Sequence, residues 1–337
     1  MERIISLPVP FILVTGERGG GKTYGAIKHF LQTGEKFALM RRTQTQADMI
    51  SAPELSPFKS PCQDMDIMYT CGSIAKGIGA VYPAQKDTDG KLHITGDCFC
   101  ITVALSTIAN IRGFDASDID YMVYDEFIPE KTARPIKEEA VTFFNAYETM
   151  NRNRELQGRP PLKCILLANS FDLTNPLFMH LKLVTRAMKM LESGTEFFMD
   201  KKRGLALIIS QSSPVAQRKK ATALYQLVGE DSDFTRFALQ TQFVNDMPEN
   251  IRSCPLREYK IICTIGEISI YNHKSFNSYY ITTHCAGTPK DVYTTSDSDT
   301  LRFRRQHGYL WSAYLRREIF FENYMVQAIF KKLFKLT

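Results

Sequence analysis

Gly16-Glu17-Arg18-Gly19-Gly20-Gly21-Lys22-Thr23 sets glycines, a lysine and a hydroxyl at the spacing G-x-x-x-x-G-K-[ST]. Glycines there let successive backbone N–H groups turn inward around phosphate oxygens. A helix opening near Lys22 would add the positive end of its dipole. Lys22 is then expected to reach the β- and γ-phosphates, the Thr23 hydroxyl to ligate Mg²⁺, and Tyr24 to border the nucleotide. Downstream, Asp125-Glu126 closes the apolar run Tyr121–Tyr124. An Asp in that position holds Mg²⁺ directly or through water, and the adjacent Glu can polarise an attacking water as general base. Asn169, closing the run Cys164–Ala168, can hydrogen-bond a γ-phosphate or that water. The chemistry predicted is hydrolysis of Mg²⁺–ATP.

Several arginines have the right charge for such a site. Arg18 lies inside the loop, Arg41-Arg42 follow a second apolar run, and Arg152 and Arg154 sit in Asn151-Arg152-Asn153-Arg154. An arginine lent to a neighbouring subunit's site as a finger can raise a rate by about 10³–10⁵. A basic helix C-terminus complementing the dipole is the other meaning of Arg152 and Arg154. Residue chemistry alone favours the helix C-terminus.

The elements that must position these groups can be drawn from the same pattern. Phe11–Thr15 and Phe37–Arg41 are short, apolar and strand-like, and Tyr24–Gln32 has helical spacing. A β-loop-α-β opening of this kind predicts a parallel sheet flanked by helices. Ser51–Pro61, with three prolines, is expected to be a loop, and Ile78–Tyr82 and Leu92–Val103 to be strands. Glu138–Asn151 has helical spacing, and Ile119–Tyr124 and Lys163–Ala168 are buried-strand runs that end in polar groups. Ligands of open α/β sheets bind at the carboxyl ends of the strands. After about Ile209 the chain turns polar. The division expected is an ATPase domain over 1–210, a helical linker over 211–244 and a second α/β domain over 245–337. Strand-like runs fill Tyr259–Tyr271 and Ser278–Thr283, and helices follow through Tyr309–Phe334.

Of the 337 residues, 44% are apolar and 23% charged, which is ordinary for globular protein. No run of about 18 apolar residues is present to span a membrane. Met1–Pro10 lacks the basic start and apolar run of a signal peptide. The eight cysteines form no CxxC pair and have no histidine at ligand spacing, so reduced thiols in a cytosol are expected rather than zinc or disulfides. Cys98 and Cys100 alternate within the strand-like run Asp97–Val103 and would share a face. The net charge is +6, and the last stretch, Leu301–Thr337, carries eight Lys/Arg against Glu318 and Glu322. Arg302, Arg304, Arg305, Arg316, Arg317, Lys331, Lys332 and Lys335 therefore suit a polyanionic partner, or else a solvated helix face.

Together these strings resemble the DNA-packaging (encapsidation) ATPases of phi-29-type short-tailed phages. The likeness lies in Gly16–Thr23, Arg41-Arg42, Tyr124-Asp125-Glu126-Phe127-Ile128, Arg152-Asn153-Arg154-Glu155 and Cys164–Asn169. It continues through Gln242-Phe243, Tyr293-Thr294 and the basic C-terminal helix, so it covers nearly the whole chain. The resemblance implies an additional-strand, catalytic-glutamate (ASCE) P-loop domain working in a ring, expected to be a homopentamer. It implies that Arg152 is the finger, with Arg154 as the alternative. Implied partners are double-stranded DNA, the portal of an empty prohead and a prohead RNA. The implied location is the host cytoplasm, transiently the capsid portal vertex.

The same resemblance implies an RNase H-like C-terminal domain. A two-metal nuclease needs clustered carboxylates. The hairpin Lys260–Tyr271 offers only Glu267, Tyr271-Asn272-His273 offers none, and Asp291, Asp297 and Asp299 lie in a polar stretch. A degenerate domain that binds without cutting is expected. Rival functions are another ring ATPase such as a helicase or DNA pump, a nucleotide-gated assembly protein without turnover, and an active terminase nuclease.

Overall fold

A computed structural model describes residues 1–16, 19–75, 77–111, 116–129, 133–169, 172, 174–210, 222–228 and 250–334. Glu17, Arg18, Gln242-Phe243, Lys335 and most of the expected linker lie outside the described residues; the helix Ala223–Val228 is the described part of that linker.

The chain divides into two units. The first comprises Met1–Arg134, Thr142–Phe171 and Thr195–Glu230, and the second Pro135–Val141, Asp172–Gly194 and Asp231–Thr337. The segment Asp172–Gly194 thus belongs with the second unit, where a contiguous first domain over 1–210 was expected. Its helix Val184–Ser193 begins at Leu183, which has no capping side chain of its own. Glu267 supplies the missing acceptor within the second unit.

The first unit is built on one sheet with the strands β1 (Phe11–Thr15), β2 (Phe37–Arg41), β3 (Tyr69–Ala75), β4 (Ile78–Lys86), β5 (Leu92–Ile94), β6 (Cys100–Ala104), β7 (Tyr121–Asp125), β8 (Lys163–Ala168), β9 (Phe197–Asp200) and β10 (Leu205–Ile209). The order is β3-β4-β6-β2-β7-β8-β1-β10-β9, with β5 on β4. From β6 to β10 neighbouring strands run parallel. Their near-continuous apolar runs reflect burial on both faces. β8 lies between β1 and β7, which is the additional strand of the ASCE arrangement. The register aligns Thr15 with Ala168 and Asp125 with Leu167, so the polar groups that follow each strand meet at one end of the sheet. The helix Lys22–Thr33 buries Ala26, Ile27 and Phe30, and Phe30 stacks on Phe37 at 4.5 Å. The helix Glu139–Asn151 lays Phe143 against Tyr124 of β7 at 5.5 Å.

Three local expectations change. Leu92–Val103 is two strands, and Cys98 precedes β6, so it does not share a strand face with Cys100. The proline-rich stretch ends in a helix, Lys59–Asp64. β3, absent from the expectation, forms an antiparallel hairpin with β4.

The second unit carries a five-stranded mixed sheet of β11 (Tyr259–Ile265), β12 (Ile268–His273), β13 (Tyr279–Thr282), β14 (Asp291–Tyr293) and β15 (Ile319–Phe321), in the order β14-β11-β12-β13-β15. It is the expected α/β unit: an antiparallel meander β11-β12-β13 with β14 parallel beside β11. Ile319-Phe320-Phe321, expected to be helical, is a strand paired with β13, as suits a β-branched and aromatic run. No helix among the described residues is long and apolar enough to cross a membrane.

Candidate active site

The phosphate loop leaves β1 at Gly16, where an added Cβ would meet the Ser210 Cβ at 2.9 Å. Gly21 caps the following helix at φ 69°, a left-handed backbone that a residue with a Cβ adopts only at a cost. The Lys22 ammonium donates to the Gly16 carbonyl at 3.3 Å, which folds its side chain back over the loop. The Tyr24 hydroxyl donates to Asp64 at 2.5 Å, so this residue ties its helix to Lys59–Asp64.

Thr23, Arg41, Asp125, Glu126 and Asn169 converge at the carboxyl ends of the strands. The Thr23 hydroxyl lies 2.9 Å from both Asp125 oxygens. The Arg41 guanidinium spans both acids, at 2.8 Å from Asp125 and 2.8 Å from Glu126. Asn169 donates to Glu126 at 3.5 Å. Asp125 is buried while the Glu126 side chain is 36% exposed, so water can reach it. Burial pushes the Asp125 carboxyl above its usual range, and Arg41 and the Thr23 hydroxyl oppose that shift. Glu126 has φ 58°. A non-glycine residue there stores roughly 1–3 kcal/mol, a cost that clusters at active sites.

A buried carboxylate facing a threonine hydroxyl is an all-oxygen donor set suited to a hard divalent cation. Thr23 and Asp125 are the residues that would hold Mg²⁺.

The remaining arginines separate by burial. Arg42 is buried and donates to the Arg134 carbonyl at 2.7 Å, which braces it within the first unit. Arg154, the alternative finger, is likewise tied into its own unit. It is buried and its guanidinium is committed to the Pro160 carbonyl, the Ile119 carbonyl and the Asp120 carboxylate. Arg152 is exposed and has φ 47° at the end of the helix Glu139–Asn151. Asp120, which helps to build this turn, went unnoticed in the sequence; an acid one residue ahead of β7 was the available signal.

In the second unit the expected basic contacts are partly consumed. Arg316 forks onto Glu318 at 2.9 and 2.8 Å, Arg304 donates to the Leu333 carbonyl, and Arg302 pairs with Asp299 at 3.2 Å over the Tyr293 ring. Arg305 and Arg317 are exposed, and Lys331 and Lys332 half-buried on the helix Tyr324–Phe334. The acids are spread among capping roles. Glu267 accepts from the Val184 amide at 3.1 Å, Asp299 from the Thr294 amide at 2.7 Å, and Asp297 from the Glu138 amide at 3.1 Å. Asp291 opens β14.

A parallel sheet with an inserted strand and a phosphate loop facing an Asp-Glu strand end defines an ASCE-type P-loop ATPase domain, here followed by a second α/β unit. Residues 84–336 match the family described as "Podovirus DNA encapsidation protein (Gp16)", and the chain belongs to that family. It is 24% identical over 363 residues to the DNA packaging protein of Bacillus phage phi29, covering 99% of this chain and 96% of that one. The corresponding protein of Bacillus phage B103 is 22% identical over 346 residues, with 96% and 95% covered. Among solved structures, the bacteriophage Phi-29 viral genome packaging motor assembly superposes with a TM-score of 0.63 at 21% identity, covering 99% of this chain and 97% of that one. The Phi-28 gp11 DNA packaging motor gives 0.61 at 16% identity, covering 100% and 97%.

Proposed function

We propose that this chain is the ATP-driven subunit that moves double-stranded viral DNA into an empty capsid, hydrolysing ATP at interfaces between copies of itself in a ring. One observation carries the ring: Arg152 lies at the end of the sheet opposite its own phosphate loop. Asn151 accepts from the Leu162 amide just ahead of β8, and Arg154 donates to Ile119 and Asp120 just ahead of β7. The hydrolytic groups follow the far ends of those strands, which span roughly 13–17 Å at the usual rise. That exceeds the reach of an arginine side chain, which supports a role for Arg152 in a neighbouring copy's site rather than its own.

Each residue then has a task. The loop amides and Lys22 bind the phosphates. Thr23 and Asp125 would hold Mg²⁺, which would supply charge neutralisation to the phosphates when bound. Glu126 takes the proton of the attacking water, and Asn169 orients Glu126 and that water. Arg41 opposes the burial that disfavours the ionised Asp125 carboxyl. Arg152 of the adjacent copy offsets charge developing on the transferred phosphoryl group.

The dispersal of Glu267, Asp297 and Asp299 into capping supports a second unit that binds nucleic acid, the portal or a prohead RNA without cutting. Arg305, Arg317, Lys331 and Lys332 are the contacts proposed, together with the partly paired Arg302, Arg304 and Arg316. Phosphate contacts of this kind are sequence-independent and weaken steeply with salt. A pentamer at the portal vertex, in the host cytoplasm, is the assembly proposed.

The deciding experiment mixes the protein with empty proheads, duplex DNA and ATP. ATP-dependent protection of the duplex from added nuclease is expected. Strand separation without protection points instead to a helicase, ATP binding without steady-state turnover to an assembly protein, and plasmid cutting with Mn²⁺ to an active nuclease.

A further inference from the structure

The turn that presents Arg152 is fastened to the sheet more firmly than an exposed loop requires. Asn151 is buried and uses both ends of its amide: Oδ1 accepts from the Leu162 amide at 2.7 Å and Nδ2 donates to Glu155 at 3.2 Å. Arg154 is 3% exposed. Its Nε donates to the Pro160 carbonyl at 3.2 Å, and its two terminal nitrogens reach the Ile119 carbonyl and the Asp120 carboxylate. Arg159 adds a bond from its own guanidinium to the Ser117 carbonyl at 2.7 Å. Between Asn151 and Arg154 stands Arg152, exposed, with its amide bonded to the Glu148 carbonyl at 2.8 Å and φ 47°. Glycine or asparagine usually takes that left-handed position after a helix. Keeping an arginine there requires surroundings that hold the backbone in place.

We infer that Arg154 and Asn151 are positioning residues for the hydrolytic reaction, holding Arg152 at the angle from which it enters the neighbouring copy's site. A trans finger must be aimed before the interface closes, because a misplacement of about 1 Å can cost on the order of 10²-fold in rate. Arg154 suits this task for a chemical reason. Its three acceptors lie on two segments, Ile119-Asp120 and Pro160, and only a planar guanidinium reaches all of them at once; a lysine ammonium in its place keeps the charge and loses the fork. The inference rests on the trans-finger reading, and its test separates the two.

Full-length Arg154→Lys, Arg152→Ala and Glu126→Gln chains are each assembled on proheads with duplex DNA, alone and in equal mixtures. Each is expected to lose hydrolysis at least about tenfold alone while binding nucleotide normally, since the phosphate loop lies at the other end of the sheet. In a head-to-tail ring, mixing Arg154→Lys with Glu126→Gln lets the intact finger of one chain serve the intact base of the other. At random mixing about a quarter of interfaces are so composed, and hydrolysis is expected to recover toward that fraction. Arg152→Ala with Glu126→Gln must recover likewise; failure of that pair sinks the trans finger and this inference with it. Recovery there without recovery for Arg154→Lys overturns the positioning role alone, as does full activity of Arg154→Lys by itself. Should Arg154→Lys fail to bind nucleotide, Asp120→Asn, at a largely exposed carboxylate, decides by the same two readouts.

Discussion

Both units are rich in carboxylates, and they use them in opposite ways. At the strand ends of the first unit, Asp125 and Glu126 stand side by side and share Arg41. In the second unit Glu267, Asp297, Asp299 and Glu322 are dispersed, each accepting a hydrogen bond from a backbone amide. A carboxylate accepting backbone N–H bonds satisfies a helix or turn terminus and has few lone pairs left for chemistry. One held by an arginine and a hydroxyl beside an open position keeps capacity for a cation or a water. Pairing and the nature of the partner, rather than the number of acids, separate a hydrolytic centre from a scaffold.

The largest effect that would break this contrast concerns Glu126. Glu126→Gln is expected to bind ATP and to lose steady-state hydrolysis by about 10²–10⁴-fold; normal turnover would remove Glu126 from the role of base. Arg152→Ala should abolish most DNA-stimulated hydrolysis, and full retention in a phosphate-release assay rules out the finger.

Substitution of a capping acid should leave turnover alone. Glu267→Ala is expected to cost about 1–2 kcal/mol of stability through the exposed helix start at Val184, read by thermal unfolding, with ATP hydrolysis unchanged. A hydrolysis defect in that variant would contradict the division.

A smaller effect is set by pH. Burial pushes the Glu322 carboxyl up, but the Thr283 amide, the Thr282 and Thr283 hydroxyls and His284 outweigh it and leave the group below its usual value. A depressed carboxyl contributes stability above the unfolded-state value of about 4.3 and loses it as pH falls toward the folded value. Glu322→Gln should flatten the acid side of the stability profile below about pH 5; an unchanged profile contradicts that account. Least perturbing is thiol labelling. Cys285 is exposed, whereas Cys62, Cys100, Cys164, Cys254 and Cys263 are buried and burial raises the Cys62 thiol to about 12. Cys285 is therefore expected to react first with a maleimide, by peptide mapping.

The phosphate loop and the Asp-Glu strand end were legible because their chemistry is local. Gly16–Thr23 is contiguous, and β7 announces itself by an apolar run broken at Asp125. Lys163–Ala168 was legible as a buried strand, but its place between β1 and β7 was not readable from the residues themselves, since it is set by pairing of segments far apart in the chain. The grouping of Asp172–Gly194 with the second unit was not legible for the same reason, its helix start being capped by Glu267.

The arginines make the division clearest. The sequence by itself determined that Arg41, Arg42, Arg152 and Arg154 were cations available to a phosphate site. Only the tertiary structure decided that Arg41 faces the acids, that Arg42 and Arg154 are braces, and that Arg152 stands exposed at the far end of the sheet. A guanidinium is the same five donors wherever it stands in the chain. Its role is set by which carbonyls and carboxylates the fold brings within reach, and those come from strands that the sequence holds far apart.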